Sequence, residues 1–181
     1  MTLPSDYIAL LEELGRAFSV YERMTGVWPV LVGGAATAIQ TAGEFMSGDF
    51  DVVAGNDDAF AAAMAEAGFL IDERVGRLAG GFHHPDFPRY GVELVSGDLF
   101  DGRSDRAKLI RLSFRDGSDI VLPPVEDLIA DRLGQYAIAS VSDASRLEQA
   151  KVLLRMAKEV DGHYLRSRIV DEGGDPALIG L

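Results

Sequence analysis

A chain of 181 residues, 48% hydrophobic and 25% charged, has the composition of a globular unit with a sizeable core, which excludes disordered and fibrous classes. Seventeen Lys+Arg against 29 Asp+Glu give a net charge of -12, a poor balance for non-specific binding to a phosphate backbone. The chain has no cysteine, so disulfides, thiolate metal sites and cysteine nucleophiles are excluded, a usage that fits a reducing compartment.

The first residues, Met1 to Asp6, carry neither the charged nor the apolar stretch of a signal peptide, so the expected location is cytoplasmic. Charged residues, glycines or prolines break every apolar run before the ~18 residues that a membrane helix needs, and no membrane partner is expected. Ser5 is placed to cap a first helix, after which Ile8, Leu11, Leu14, Phe18 and Tyr21 recur at three- and four-residue spacing. Thr25-Gly26 ends it. A short apolar run over 28–32 leads into Gly33-Gly34 and the alanine-rich 35–42, which reads as strand, glycine turn and helix. A second strand is expected over 50–53, and Asn56 caps a helix over 57–67 that ends at Gly68.

The pattern then turns β-like over 70–75, 92–95, 109–114 and 119–122, with Asp116-Gly117 as a hairpin turn, and these strands are expected to complete a mixed sheet. After Pro123-Pro124 the periodicity is helical over 126–139, 143–160 and 163–170. The expected class is α/β (α+β): a mixed sheet flanked by helices over 1–122, then a helical segment over 123–181 packed on it, with a frayed end from Gly173.

Chemistry concentrates between Val30 and Val53. A Gly-Gly pair at the C-terminal end of a strand lets a ligand approach the backbone, and the N–H groups of a following helix favour anions. Asp49 and Asp51 are two apart, so an extended strand sends both to one face while Phe50 turns to the core. Two like charges on one edge repel unless a divalent cation sits between them, and Mg²⁺ usually takes one or two carboxylates plus substrate phosphates. Glu93, in the alternating Val92-Glu93-Leu94-Val95, is placed to join that edge from a neighbouring strand.

An apolar strand, Gly33-Gly34, a helix, Asp49-Phe50-Asp51 and a later carboxylate, in this order, resemble the nucleotidyltransferase superfamily of polymerase-beta-like fold. The likeness is greatest to small bacterial members related to AbiEii-type toxins. Ser47-Gly48-Asp49-Phe50-Asp51 is similar to their Thr-x-Asp-x-Asp run, and Glu126-Asp127-Leu128-Ile129-Ala130-Asp131-Arg132-Leu133 to their Glu-Asp-Leu-Ile-Ala-x-Lys-Leu helix. Arg132 replaces the Lys, Glu93 the more usual Asp, and Glu44-Phe45-Met46 the basic residue that precedes the Asp-x-Asp run.

The resemblance touches most of residues 27–155 and implies an enzyme dependent on Mg²⁺ (or Mn²⁺). Such an enzyme moves a nucleotidyl group from a nucleoside triphosphate such as ATP to an acceptor hydroxyl, with release of pyrophosphate. It implies Asp49, Asp51 and Glu93 as catalytic and metal-holding carboxylates, and Gly33, Gly34, Ser47 and Lys108 as nucleotide-binding. A tRNA, a protein or a small molecule is the implied acceptor. The fold also has members without turnover, which bind a nucleotide or an antitoxin-type protein partner. Positive charge for the phosphates is expected from Arg103, Arg106, Lys108, Arg111 and Arg115, five basic residues within thirteen positions.

Other motifs carry less. Strand, Gly-Gly, helix and strand, with Asp51 about 20 residues on, imitate the unit of a dinucleotide-binding oxidoreductase, but Gly33-Gly34-Ala35-Ala36-Thr37-Ala38 is not G-x-G-x-x-G. No Gly-Lys-Ser/Thr marks a P-loop. His83-His84 beside Asp86 suggests a metal cluster on paper, yet adjacent histidines on a strand point to opposite faces, and an exposed hairpin or loop is expected there. Asp98 and Asp101 lack the ligand series of a calcium loop. Asp127 and Asp131 share a helix face, which is unfavourable unless a cation lies opposite. Lys151, Arg155 and Lys158 read as a solvated helix face.

Overall fold

The computed structural model describes residues 2–72, 81–95, 97–139 and 143–181. Helix α1, Ser5–Thr25, buries Tyr7, Leu10, Leu11, Leu14, Phe18 and Tyr21 along one stripe, as the three- and four-residue spacing dictates. Pro4 rather than Ser5 holds the N-cap, with no side-chain cap bond, and Gly26 in the left-handed conformation closes the far end on Glu22 O at 2.7 Å.

Strand β1, Val30–Val32, passes directly into helix α2, Gly33–Gln40, and strand β2, Asp49–Val53, returns beside β1. Helix α3, Asp57–Glu66, starts where the Asn56 side chain accepts from Ala59 N. Strands β3 (Leu70–Ile71), β4 (Gly81–His83) and β5 (Gly91–Val95) complete a five-stranded sheet of order β1-β2-β5-β4-β3. The sheet is mixed: β2 and β5 are parallel, and β1/β2, β4/β5 and β3/β4 are antiparallel. Antiparallel pairing of β1 with β2 removes the dinucleotide-binding alternative, because a βαβ unit requires its two strands to be parallel.

Two expectations change. Strands β6 (Ile110–Ser113) and β7 (Asp119–Leu122) form a separate two-stranded ribbon instead of extending the sheet. Their turn is the expected Asp116-Gly117, with Gly117 at φ 85° and the Ser118 N–H donating to Asp116 Oδ1 at 3.0 Å. His84 is buried rather than exposed, its ring 5.1 Å from Phe69 and 5.2 Å from Phe87. Those two aromatics supply apolar walls that local sequence around the histidines does not announce. The expected strand residues 73–75 lie outside the described residues.

Helices α4 (Val125–Ile138), α5 (Ser145–Met156) and α6 (Gly162–Asp171) follow the prolines; α4 packs on both α5 and α6, and α4 and α5 pack on α2. One apolar core runs from Tyr7 through Phe50 and Leu128 to Ile169, so both parts of the chain bury their faces together. The end of the chain is packed, not frayed. Residues Pro176–Ile179 form a helical turn capped by Asp175, and Leu178, Ile179 and Leu181 lie against the core. Among the described residues no helix is long and apolar enough to cross a membrane.

Candidate functional site

The site grows out of the junction of β1 with α2. Gly33 adopts φ +63°, a conformation that L side chains rarely take, and it stands opposite the middle of β2 because Val32 is in register with Asp51. A Cβ on Gly33 would overlap Asp51 Oδ2 and lie 3.1 Å from its Cγ, and one on Gly34 would meet Ser47 Oγ at 2.6 Å. Both glycines are therefore required by close approach, and the Gly34 N–H donates to the Asp51 carboxylate.

Alternation along β2 does the rest. Phe50 and Val52 are fully buried, so Asp49 and Asp51 leave from the other face. Parallel pairing with β5 sets Asp51 beside Glu93 and Asp49 beside Gly91. Ser47 shapes the approach to β2 by donating to Asp49 O at 3.0 Å. The three carboxylates, Gly33, Gly34 and Ser47 line a single cleft of about 310 Å³. Burial first, then the charges of Glu93 and Asp49, push the Asp51 carboxyl above its ordinary range, while Arg132 and the Gly34 N–H pull it down.

The cations of this cleft come from the helices after the prolines. Arg132 of α4 and Arg146 of α5 both line it, together with Gln135 and Gln149. Arg132 is 3% exposed. It donates twice to Asp131 Oδ2, at 2.7 and 3.1 Å, and once to Gln149 Oε1 at 3.4 Å. Arg146 reaches the same Gln149 oxygen at 3.2 Å, so one amide oxygen spaces two guanidinium groups across the cleft mouth.

Lys108 is not brought to this cleft. It lies 3.1 Å from Asp161 Oδ2 and 4.8 Å from the Tyr164 ring centroid, at the start of α6. Its basic neighbours are likewise engaged elsewhere: Arg103 with Glu172 and the Asp171 carbonyl, Arg106 with the Trp28 carbonyl, Arg111 with Asp119 and the Trp28 ring. The cluster is compact in sequence, but the turns around 99–108 spread it over the surface. Arg132 carries a sequence signal, its position in the helix that resembles the Glu-Asp-Leu-Ile-Ala-x-Lys-Leu pattern. Arg146 and Gln149 carry none, being an ordinary polar pair at the start of a helix.

Asp127 and Asp131 diverge in role. Asp127 is fully buried and accepts from Arg168 Nε at 2.6 Å, Tyr164 Oη at 3.0 Å and Ser104 Oγ, so the cation that such a pair needs is Arg168 of α6. Asp131 instead faces a second cavity of about 380 Å³. That cavity shares Gly33, Asp51, Arg132 and Gln135 with the cleft and is also lined by Asp98 to Asp101.

No protein-family profile matches the chain, and no curated protein matches it in sequence. Solved structures do match. An antigenic nucleotidyltransferase-like protein from Paracoccidioides brasiliensis superposes with a TM-score of 0.60 at 16% identity, over 94% of this chain and 89% of that one. The antibiotic-resistance factor ANT(2'')-Ia superposes with a TM-score of 0.55 at 8% identity, over 90% of each chain. At these identities the likeness is one of fold. The mixed five-stranded sheet, its flanking helices and its C-terminal helices are a nucleotidyltransferase-like fold.

Proposed function

We propose that the protein is a Mg²⁺-dependent nucleotidyltransferase that moves a nucleoside monophosphate from a nucleoside triphosphate to an acceptor hydroxyl, releasing pyrophosphate. One observation carries the reading: a glycine turn, three carboxylates and two arginines from five separate elements line one cleft. A purely structural edge would not bring like charges together in a half-buried place, where each raises the cost of ionising the next.

The donor set fits a hard divalent cation, since the acids facing Asp51 already raise its affinity for a proton. Among the described residues no group of three Asp, Glu or His side chains is placed to hold a metal ion. Mg²⁺ does not require one, because it commonly binds through one or two carboxylates and completes its shell with phosphate oxygens and water. Asp49 and Asp51 would hold it, and when bound it would neutralise charge on the phosphates. The Gly33-Gly34 turn leaves room for the phosphates beside Asp51, Arg132 and Arg146 neutralise those at the mouth, and Glu93 takes the proton of the attacking hydroxyl.

A second reading is favoured by the absence of a converged three-ligand group among the described residues: a member of the fold that binds a nucleotide or an antitoxin-type protein without turnover, in line with the AbiEii-type resemblance. A thermal-shift panel of the four ribonucleoside triphosphates, with and without Mg²⁺, tests the binding that transfer requires, and release of pyrophosphate separates turnover from binding alone. A ligand at about 100 times its Kd adds ~2.7 kcal/mol of stability. Transfer requires Mg²⁺-dependent stabilisation that Asp49→Ala/Asp51→Ala abolishes; no response to any triphosphate rejects it.

A further inference from the structure

The ribbon of β6 and β7 has one open edge. β7 lies against β1 and α1, whereas among the described residues β6 has β7 as its one strand partner. At the hairpin turn the Phe114 N–H donates to Ser118 O at 2.9 Å, and main-chain bonding in an antiparallel pair alternates along the strand. Ile110 and Leu112 therefore bond inward, to Leu122 and Ile120, while the N–H and C=O groups of Arg111 and Ser113 point out from the edge.

An edge of this kind is a template for another strand unless a proline, a bulge or an outward charge blunts it. The four residues of β6 include no proline and run in unbroken register with β7. The one charge on the strand is drawn back onto the chain: the Arg111 guanidinium lies 4.4 Å from the Trp28 ring centroid and 3.8 Å from Asp119 Oδ2. On the other face of the ribbon, Ile110 and Leu112 open with Ile39 and Met156 onto a groove of about 510 Å³, and Ile110 and Met156 remain 36% and 40% exposed. The groove also carries one cation and one anion, Lys158 and Glu159. A surface with both signs discriminates against a strongly acidic or strongly basic partner and is complementary to its own two-fold copy.

We propose that β6 pairs antiparallel with β6 of a second copy of this chain, giving a four-stranded ribbon β7-β6-β6-β7 about a two-fold axis. Arg111 of each chain exchanges main-chain hydrogen bonds with Ser113 of the other, about four in all, and Leu112 meets its own copy at the axis. The apolar walls of the groove then continue from one chain into the next and cover Ile110 and Met156. Neither cavity at the carboxylates is lined by β6, so the pairing stands or falls apart from nucleotidyl transfer.

The test is sedimentation of the full chain over a range of concentrations, joined to position-specific crosslinking. One short edge with its flanking side chains is a small interface, so the wild type should be a monomer at about 1 μM and approach twice the chain mass at about 200 μM. Ser113→Pro removes an N–H that points away from β7 and leaves the hairpin's own bonds in place. It should stay monomeric throughout, with the circular dichroism of the wild type. Because the chain has no cysteine, a single introduced one reports on its own copy. In this pairing Leu112 faces its copy with Cα atoms about 4.5 Å apart, within disulfide reach, whereas Ile110 is offset from its copy by about 14 Å along the strands. Oxidation should couple Leu112→Cys into a dimer and leave Ile110→Cys uncoupled.

A wild type that is monomeric at every concentration, a dimer that survives Ser113→Pro, or coupling at 110 as ready as at 112 overturns the proposal. A monomer whose groove takes up an anilinonaphthalene dye assigns the groove to a small apolar ligand and overturns it likewise.

Discussion

Gly33 leaves the space that the Asp51 carboxylate occupies: a side chain there would coincide with Oδ2 of Asp51, and the backbone at Gly33 stands at φ +63°. The turn and the carboxylate are one unit, in which removal of a Cβ at the end of β1 permits a charge on β2 to face the helix start. Two like-charged neighbours, Asp49 and Glu93, then share the space with it.

Gly33→Ala consequently acts twice. The left-handed backbone costs an L residue about 1–2 kcal/mol, and the new methyl group displaces the Asp51 carboxylate from the Gly34 N–H. The variant should melt lower than wild type and lose Mg²⁺-dependent stabilisation by ATP even at temperatures where it remains folded. Differential scanning fluorimetry with and without ATP and Mg²⁺ reads both effects. A variant that keeps the full ligand response would show that the turn does not position the site.

Asp51→Asn should move stability and ligand response in opposite directions. Burial, then Glu93 and Asp49, hold the Asp51 carboxyl above its ordinary value of 3.8. A carboxyl that ionises less readily in the fold than in the unfolded chain favours folding most below 3.8. It loses that contribution as pH rises through its folded value. The ligand-free variant, free of this charge, should therefore gain on the wild type as pH rises from acid to neutral, while its response to ATP with Mg²⁺ is lost. Melting temperatures of the two proteins across that range decide it, and a difference that shrinks with rising pH is the opposite of what the geometry requires.

Arg146→Ala and Arg132→Lys test the source of positive charge. A hydrogen bond to a charged group contributes about 1.5–3 kcal/mol, so loss of Arg146 should weaken binding of ATP by roughly tenfold or more. Lys at 132 keeps the charge but cannot donate to Asp131 and Gln149 together as the guanidinium does, and it should weaken binding as well. Lys108→Ala, with its ammonium on Asp161 outside the cleft, should leave ATP affinity within about twofold. Calorimetric titration of the three variants distinguishes this assignment from one in which the basic run over 103–115 holds the phosphates.

These contrasts mark what is legible in the sequence. Period-two alternation alone dictates the facing of Asp49, Phe50 and Asp51, because one buried aromatic between two acids leaves a strand a single sensible orientation. The strand, glycine turn and helix are readable for the same local reason. Which cations complete the site is not, since Arg132 and Arg146 reach it through the packing of α4 and α5 against α2, a long-range matter that no spacing encodes. The burial of His84 between Phe69 and Phe87 and the docking of the chain end on Leu133 are hidden likewise, as both depend on packing that no local pattern announces.

The last prediction concerns how α4 is held so that it presents Arg132. Asp127 and Arg168 are 0% and 2% exposed in their side chains and meet at 2.6 Å, joining α4 to α6. Arg168 also donates to Glu172 Oε1 at 2.7 Å, while its Nη1 is buried without a hydrogen-bond partner. Removing one member of such a pair leaves an uncompensated buried charge and costs about 3–5 kcal/mol, whereas replacing both by apolar residues of similar volume is often far milder. Arg168→Met alone should therefore lower the urea midpoint sharply, and Asp127→Leu/Arg168→Met should recover a large part of the loss. Because Asp127 touches neither cavity, the double variant should bind ATP with Mg²⁺ as the wild type does. A double variant that is stable yet no longer binds would instead place this pair in the ligand response, through the orientation of α4.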